Sequence, residues 1–124
     1  MNLAIMIGNL TRDPEMRYTP SGTPVATLGL ASNRRFKQGD ELKEEVTFID
    51  VVVFGKMAES VGQYKRKGDK ICVTGRLQQN RWETEDGQKR SKHQIVATSV
   101  EFIGPRKEGG GDPNDPESGE PDYN

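Results

Sequence analysis

The residues best equipped for chemistry in this sequence are rings and cations. Residues 78 to 94 read QQNRWETEDGQKRSKHQ and hold the only tryptophan, Trp82, in the most polar stretch of the chain. Tryptophan is ordinarily largely buried with its N–H satisfied, so a ring beside Arg81 and before a Lys89, Arg90, Lys92 run needs a reason. Phe48 and Phe54 sit in VTFIDVVVF on the same side as Asp50, an odd mixture for a core. Flat π surfaces flanked by guanidinium and ammonium groups suit stacking on planar partners and pairing with anions. The cations that could take the anionic part are Arg17, Arg34, Arg35, Lys56, Lys67, Arg76, Arg81 and Arg90.

Each residue also has a plainer reading. Phe48 and Phe54 could fill a second apolar layer or a subunit interface. The Lys65, Arg66, Lys67 run could complement the dipole of a helix C-terminus. Trp82 resists such a reading, because 78, 80 and 81 are all polar and exposed aromatics among bases usually mark binding.

Catalysis finds little to work with. A single His and a single Cys exclude a disulfide framework and a Cys/His zinc site within one chain. A hydrolytic triad would need His93, which begins a basic strand without an evident partner. No GxxxxGK[ST] and no GxGxxG opens a helix, so no phosphate cradle is present. The carboxylates are scattered, leaving a metal-dependent nuclease as a distant alternative. No catalytic residue, metal or cofactor is expected.

Only 31% of the 124 residues are apolar, so part of the chain is expected outside the core. From residue 105 the text PRKEGGGDPNDPESGEPDYN carries net charge −4, against +3 for residues 1–104. Such a Gly/Pro-rich acidic stretch buries too little to offset its ordering entropy and reads as a disordered tail after a single domain over 1–104. No apolar run approaches membrane-spanning length, and the opening LAIMIG is too short for a signal sequence. Cys72, between Ile71 and Val73, reads as a core-edge hydrophobe. A soluble cytoplasmic, nucleoid-associated protein fits best.

The elements that must position the rings have period two. In 46–54, Thr47, Ile49, Val51 and Val53 form the core side, with Phe48, Asp50, Val52 and Phe54 opposite. In 70–82, Ile71, Val73, Gly75 and Leu77 face in, which turns Trp82 outward. Asp86-Gly87 signals a hairpin and a return strand over 90–103 with Val96, Val100 and Phe102 inward. Strands are also expected over 3–9 and 24–36, the first apolar on both faces as if covered on both. Met57, Val61 and Tyr64 mark a helix over 56–67 that Gly68 caps. Gly8 and Gly75 permit bends. Phe36 shares the inward parity of Leu28 and Leu30, and needs a bulge or a strand end near Arg34 to reach the outside. Five strands with one helix between the third and fourth is the order of an all-β OB-fold, a five-stranded Greek-key barrel; a two-sheet sandwich usually needs about seven strands.

Five stretches in order, IGNLTRDPEMRYTPSG (7–22), VATLGLASNRRF (25–36), TFIDVVVFGKMAE (47–59), YKRKGDKICVTGRL (64–77) and RWETEDGQKR (81–90), resemble the bacterial single-stranded DNA-binding proteins. The resemblance implies an OB-fold that binds single strands without sequence preference and assembles as a homotetramer. It implies stacking roles for Phe36, Phe48, Phe54 and Trp82, and phosphate contacts for Arg17, Lys56, Lys67, Arg81 and Arg90. It matches the strand from Leu3 to Ile7 with the family's subunit-pairing strand. Gln78, Asn80 and Asp50 stand where bases are frequent in the family, which implies weaker phosphate binding or a shallower salt dependence. The family pattern closes in an apolar Pro-Phe tip that docks replication and repair enzymes; the residues in that place here are Asp122 and Tyr123, and the departure leaves recruitment open.

The sequence therefore reads as a non-enzymatic protein that coats and protects single-stranded DNA in replication, recombination and repair, tolerating some RNA. A primosome-type OB adaptor is the alternative, which loss of the stacking rings would favour.

Overall fold

The computed structural model describes residues 1–104. The proposed partner residues of the tail, Asp122 and Tyr123, lie outside them.

Six strands and one helix follow in the order β1 (Ala4–Leu10), β2 (Glu15–Tyr18), β3 (Pro24–Gln38), β4 (Glu41–Phe54), α1 (Lys56–Tyr64), β5 (Lys70–Glu83) and β6 (Lys89–Ile103). Hydrogen bonding runs β1-β5-β6-β4-β3-β2, and a β1–β3 pairing at Asn9↔Ala31 and Leu10↔Leu30 closes the ring. Five strands thus form a closed OB barrel. The short β2, which the sequence did not announce, rides on the edge of β3. Counting barrel strands alone, the helix falls between the third and fourth, as expected. Closure leaves little open edge and unites distant segments, with β4 and β6 meeting in parallel over Asp50–Val52.

Alternation builds the core. Leu28 and Leu30 from β3, Val51 and Val53 from β4, Ile71 and Val73 from β5 and Ile95 from β6 are at most 1% exposed. Each such side chain contributes about 1.5–3 kcal/mol by leaving water. Ala58 and Val61 extend the same cluster from α1. Met57 is half-buried and packs against that cluster, whereas Tyr64, of the same helical spacing, is exposed. The helix also stops early, because Lys65 is extended at φ −114°, ψ 145°. Gly68, at φ +95°, serves the following turn, donating its N–H to Leu10 O, and does not cap the helix.

A further departure comes from a bulge. In β6 the buried residues are Ile95 and Ala97, with Val96 turned outward. Thr98 is an extra residue: Thr74 pairs with Ser99 while Gly75 pairs with Ala97, so parity resets there and Val100 again faces in. Beyond the bulge Phe102 keeps the core side, opposite Ile71, yet it is exposed at the barrel end with Lys65 Nζ 4.4 Å over its ring. Gly75 is needed here, since a Cβ would stand 2.1 Å from Val96 O. A Cβ on Gly8 would stand 2.4 Å from Ala31 O where β1 crosses β3.

The hairpins β3–β4 and β5–β6 outrun the barrel. Thr47 lies beyond the β4–β6 pairing, and Leu77 past the β1–β5 pairing that ends at Ala4↔Gly75, so both are exposed despite inward parity. Asn2 pins the base of one arm, donating to Leu77 O at 2.8 Å and accepting from Leu77 N at 2.9 Å.

Candidate nucleic-acid interface

The barrel's outer face carries the side chains that the core leaves out. On β4 these are Phe48, Asp50, Val52 and Phe54. The registers extend them across the sheet. Val52 aligns with Val96 and Arg76, and Asp50 with Gln94 and Gln78, whose amides bond at 2.7 Å. Further out on β5 and β6, Asn80 stands opposite Lys92 and Trp82 opposite Arg90. On the other flank Arg17 of β2 faces Val25, which faces Phe54; the Arg17 guanidinium donates to Thr27 Oγ1 at 3.3 Å.

Phe48, Phe54 and Trp82 therefore share one continuous face across β4, β6 and β5, and are 70%, 46% and 49% exposed. Rings of this size left in water on a protein with its own core are available to a partner. Arg17, Arg76 and Arg90 stand among them, and Lys56, exposed at the first turn of α1, follows Phe54 by two residues.

Other nominated residues fall elsewhere. Phe36 keeps the parity of Leu28 and Leu30, without bulge or early strand end: the β3–β4 register is continuous to Gln38↔Glu41. It escapes the core because the arm has left the barrel, and it lies on the arm's opposite face from Phe48, half-buried, with Arg34 4.7 Å over its ring. Arg34 and Arg35 are each matched by a carboxylate of the facing strand, Glu45 at 3.3 Å and Glu44 at 4.0 Å. Arg81 turns away from Trp82 by strand alternation and donates to Gln79 Oε1 at 3.0 Å. Lys67 lies in the turn after α1, its N–H donating to Asp13 Oδ1 at 2.8 Å, and no register places it on the ring face.

The sequence reading missed Lys92 and Arg12. Both line a concavity with Phe48, Asp50 and His93. Lys92 was within reach: once the Asp86-Gly87 turn sets the hairpin, Lys92 has the parity of Arg90. Arg12 follows β1 and no periodicity marks it.

Among the described residues no group of three or more His, Cys, Asp or Glu could hold a metal, and no helix is long and apolar enough to cross a membrane.

Residues 1–103 match the family described as the Single-strand binding protein family. The chain belongs to that family. Its members are non-catalytic DNA-binding proteins. Relatives in it include the single-stranded DNA-binding proteins of Helicobacter hepaticus, 52% identical over 113 residues, and of Wolinella succinogenes, 50% identical over 103. These alignments cover 90% and 82% of this chain, and 66% and 64% of the relatives, so the chain spans just under two thirds of their length. Among solved structures, the Plasmodium falciparum SSB complex with ssDNA superposes with a TM-score of 0.77 at 25% identity, over 84% of this chain and 96% of that one. The family's barrel is thus present here with its outer face carrying the rings.

Proposed function

We propose that the chain binds and protects single-stranded DNA without sequence preference, as a non-enzymatic cytoplasmic protein of replication, recombination and repair. The observation that carries this is the shared face of Phe48, Phe54 and Trp82 with Arg17, Arg76 and Arg90 between and beside them. Bases stack on such rings whatever their identity, because every base has a π-face, and the cations between them meet phosphates. Phe36, Arg34, Arg35 and Arg81 along the two arms, with Lys56 at the start of α1 and Lys67 in the turn after it, serve as secondary contacts. The names of the relatives and the DNA in the superposed complex support the same reading.

The functional unit is a homotetramer in this proposal, assembled through β1. Leu3, Ile5 and Ile7 form an exposed apolar row, and β1 meets β3 only at Asn9 and Leu10, which leaves its edge over the preceding residues open. The acidic segment after residue 104 would recruit replication and repair proteins, with Asp122 and Tyr123 as its contacts.

The test is Trp82 fluorescence during titration with an unstructured oligo-thymidine at low and high salt. The chain has one tryptophan, so the signal has one source. Quenching that salt weakens is the expected result. Absence of binding at low salt overturns the proposal in favour of a protein adaptor.

A further inference from the structure

Asp50 stands in the middle of the ring face, two residues from Phe48 and four from Phe54. Its side chain is 22% exposed, and two cations close on it. Lys92 Nζ lies 2.5 Å from Oδ2, and Arg12 Nη2 lies 3.8 Å from Oδ1. The cross-strand neighbour of Asp50 on β3 is Gly29, and that vacancy admits the arginine: a Cβ there would stand 2.4 Å from Arg12 Nη1 and 2.4 Å from Thr11 Oγ1. On the other side, Asp50 aligns with Gln94 of β6, two residues beyond Lys92. The carboxylate thus draws one cation from the loop after β1 and one from β6 onto the floor of a groove that Phe48 borders.

Resting on the single-strand reading above, we infer that Asp50 is an internal competitor for phosphate that weakens strand binding and quickens release. In the free protein it neutralises Arg12 and Lys92, groups 46% and 55% exposed that otherwise meet the incoming backbone. A phosphate that takes either cation must displace a carboxylate tethered beside it and then lie near that same negative charge. The groove offers a net charge of +1 from these three groups instead of +2. An exposed or partly exposed ion pair contributes little to stability, so the cost of Asp50 falls on binding and its removal spares the fold.

Asp50→Asn keeps the shape and deletes the charge. Freeing one cation steepens the logarithmic salt dependence by about 0.7, the single-strand increment per neutralised phosphate. The affinity of the variant for oligo-thymidine relative to wild type then grows about eightfold as salt falls from roughly 1 M to about 50 mM. Asp50→Thr, neutral and suited to a strand, shows the same gain, and stands in should the asparagine variant fold poorly. Adding Arg12→Gln and Lys92→Gln to Asp50→Asn abolishes the gain. A slope equal to or shallower than wild type in both neutral variants overturns the inference, as does a gain that survives loss of both cations. If wild type fails to bind at any salt, the single-strand reading itself falls, a result distinct from variants that bind like wild type.

Discussion

Trp82 on β5 stands directly opposite Arg90 on β6, on the arm beyond the barrel, and Arg81 does not share its face. The cation that accompanies this ring is thus its cross-strand neighbour, where side chains lie about 4.5–5.5 Å apart at Cβ, and not its neighbour in sequence. Trp82→Ala is expected to weaken oligo-thymidine binding by about 1–3 kcal/mol, the range general to base stacking in proteins of this kind. Arg90→Gln should cost less and lower the salt slope by about 0.7. Titrations at several salt concentrations separate the two.

The two arm phenylalanines should not be equivalent. Phe48 faces the groove and Phe36 the other side of the arm under Arg34. Phe48→Ala is expected to cost about 1–3 kcal/mol of binding, and Phe36→Ala less. Equal losses, measured by Trp82 quenching in each variant, would mean that the strand follows both faces of the arm.

Gly75→Ala tests the bulge. With Val96 O 2.1 Å from the new Cβ and Ala97 Cα 2.8 Å away, backbone must move. A loss of about 1–3 kcal/mol is expected, the usual range for overpacking, read from thermal or denaturant melts. Unchanged stability would show that β6 yields there freely.

Ile7→Glu addresses assembly. Ile7 is exposed, so the barrel should keep its melting temperature, while light scattering should report a smaller species as charge enters the apolar row with Leu3 and Ile5. A tetramer that survives this change is built through another face.

The turn of the β5–β6 arm has a pH dependence of its own. The Thr84 hydroxyl donates to the Asp86 carboxylate and holds its pKa below the ordinary value, with backbone N–H donors assisting against desolvation. A depressed folded pKa stabilises above the unfolded pKa, and that stability is lost as pH falls through the folded value. Carboxyl NMR titration should show Thr84→Ala raising the Asp86 pKa toward its ordinary value of 3.8. No rise would remove Thr84 as the cause.

The five barrel strands, the helix position and the outward turn of Trp82 were legible because period two is a local property of the chain. The hidden parts depended on where the sheet stops being a barrel. Thr47, Leu77 and Phe36 have inward parity, yet no core lies beneath them once the arms leave it. Val96 departs from its expected side because one extra residue, Thr98, resets the count, and the glycine that accompanies the bulge, Gly75, lies on the facing strand and not in β6. β2, four exposed residues long, offers no apolar alternation at all. The shared outward side of Phe48, Phe54 and Trp82 was legible from parity, but the cluster at Asp50 was not, since Lys92 and Arg12 reach it only through strand pairing and a glycine opposite.

The interleaving of core and outer side chains on β4, β5 and β6 also sets how the gene can change length. One codon added or lost between Phe48 and Val53 would exchange the buried and outward sets beyond it, abolishing barrel and interface together. The turns at Gly39 and Gly87 lie past the last core contact of their arms. Insertions are therefore admissible at those tips, where they lengthen the arms, and the span of the outer face is adjustable independently of the fold.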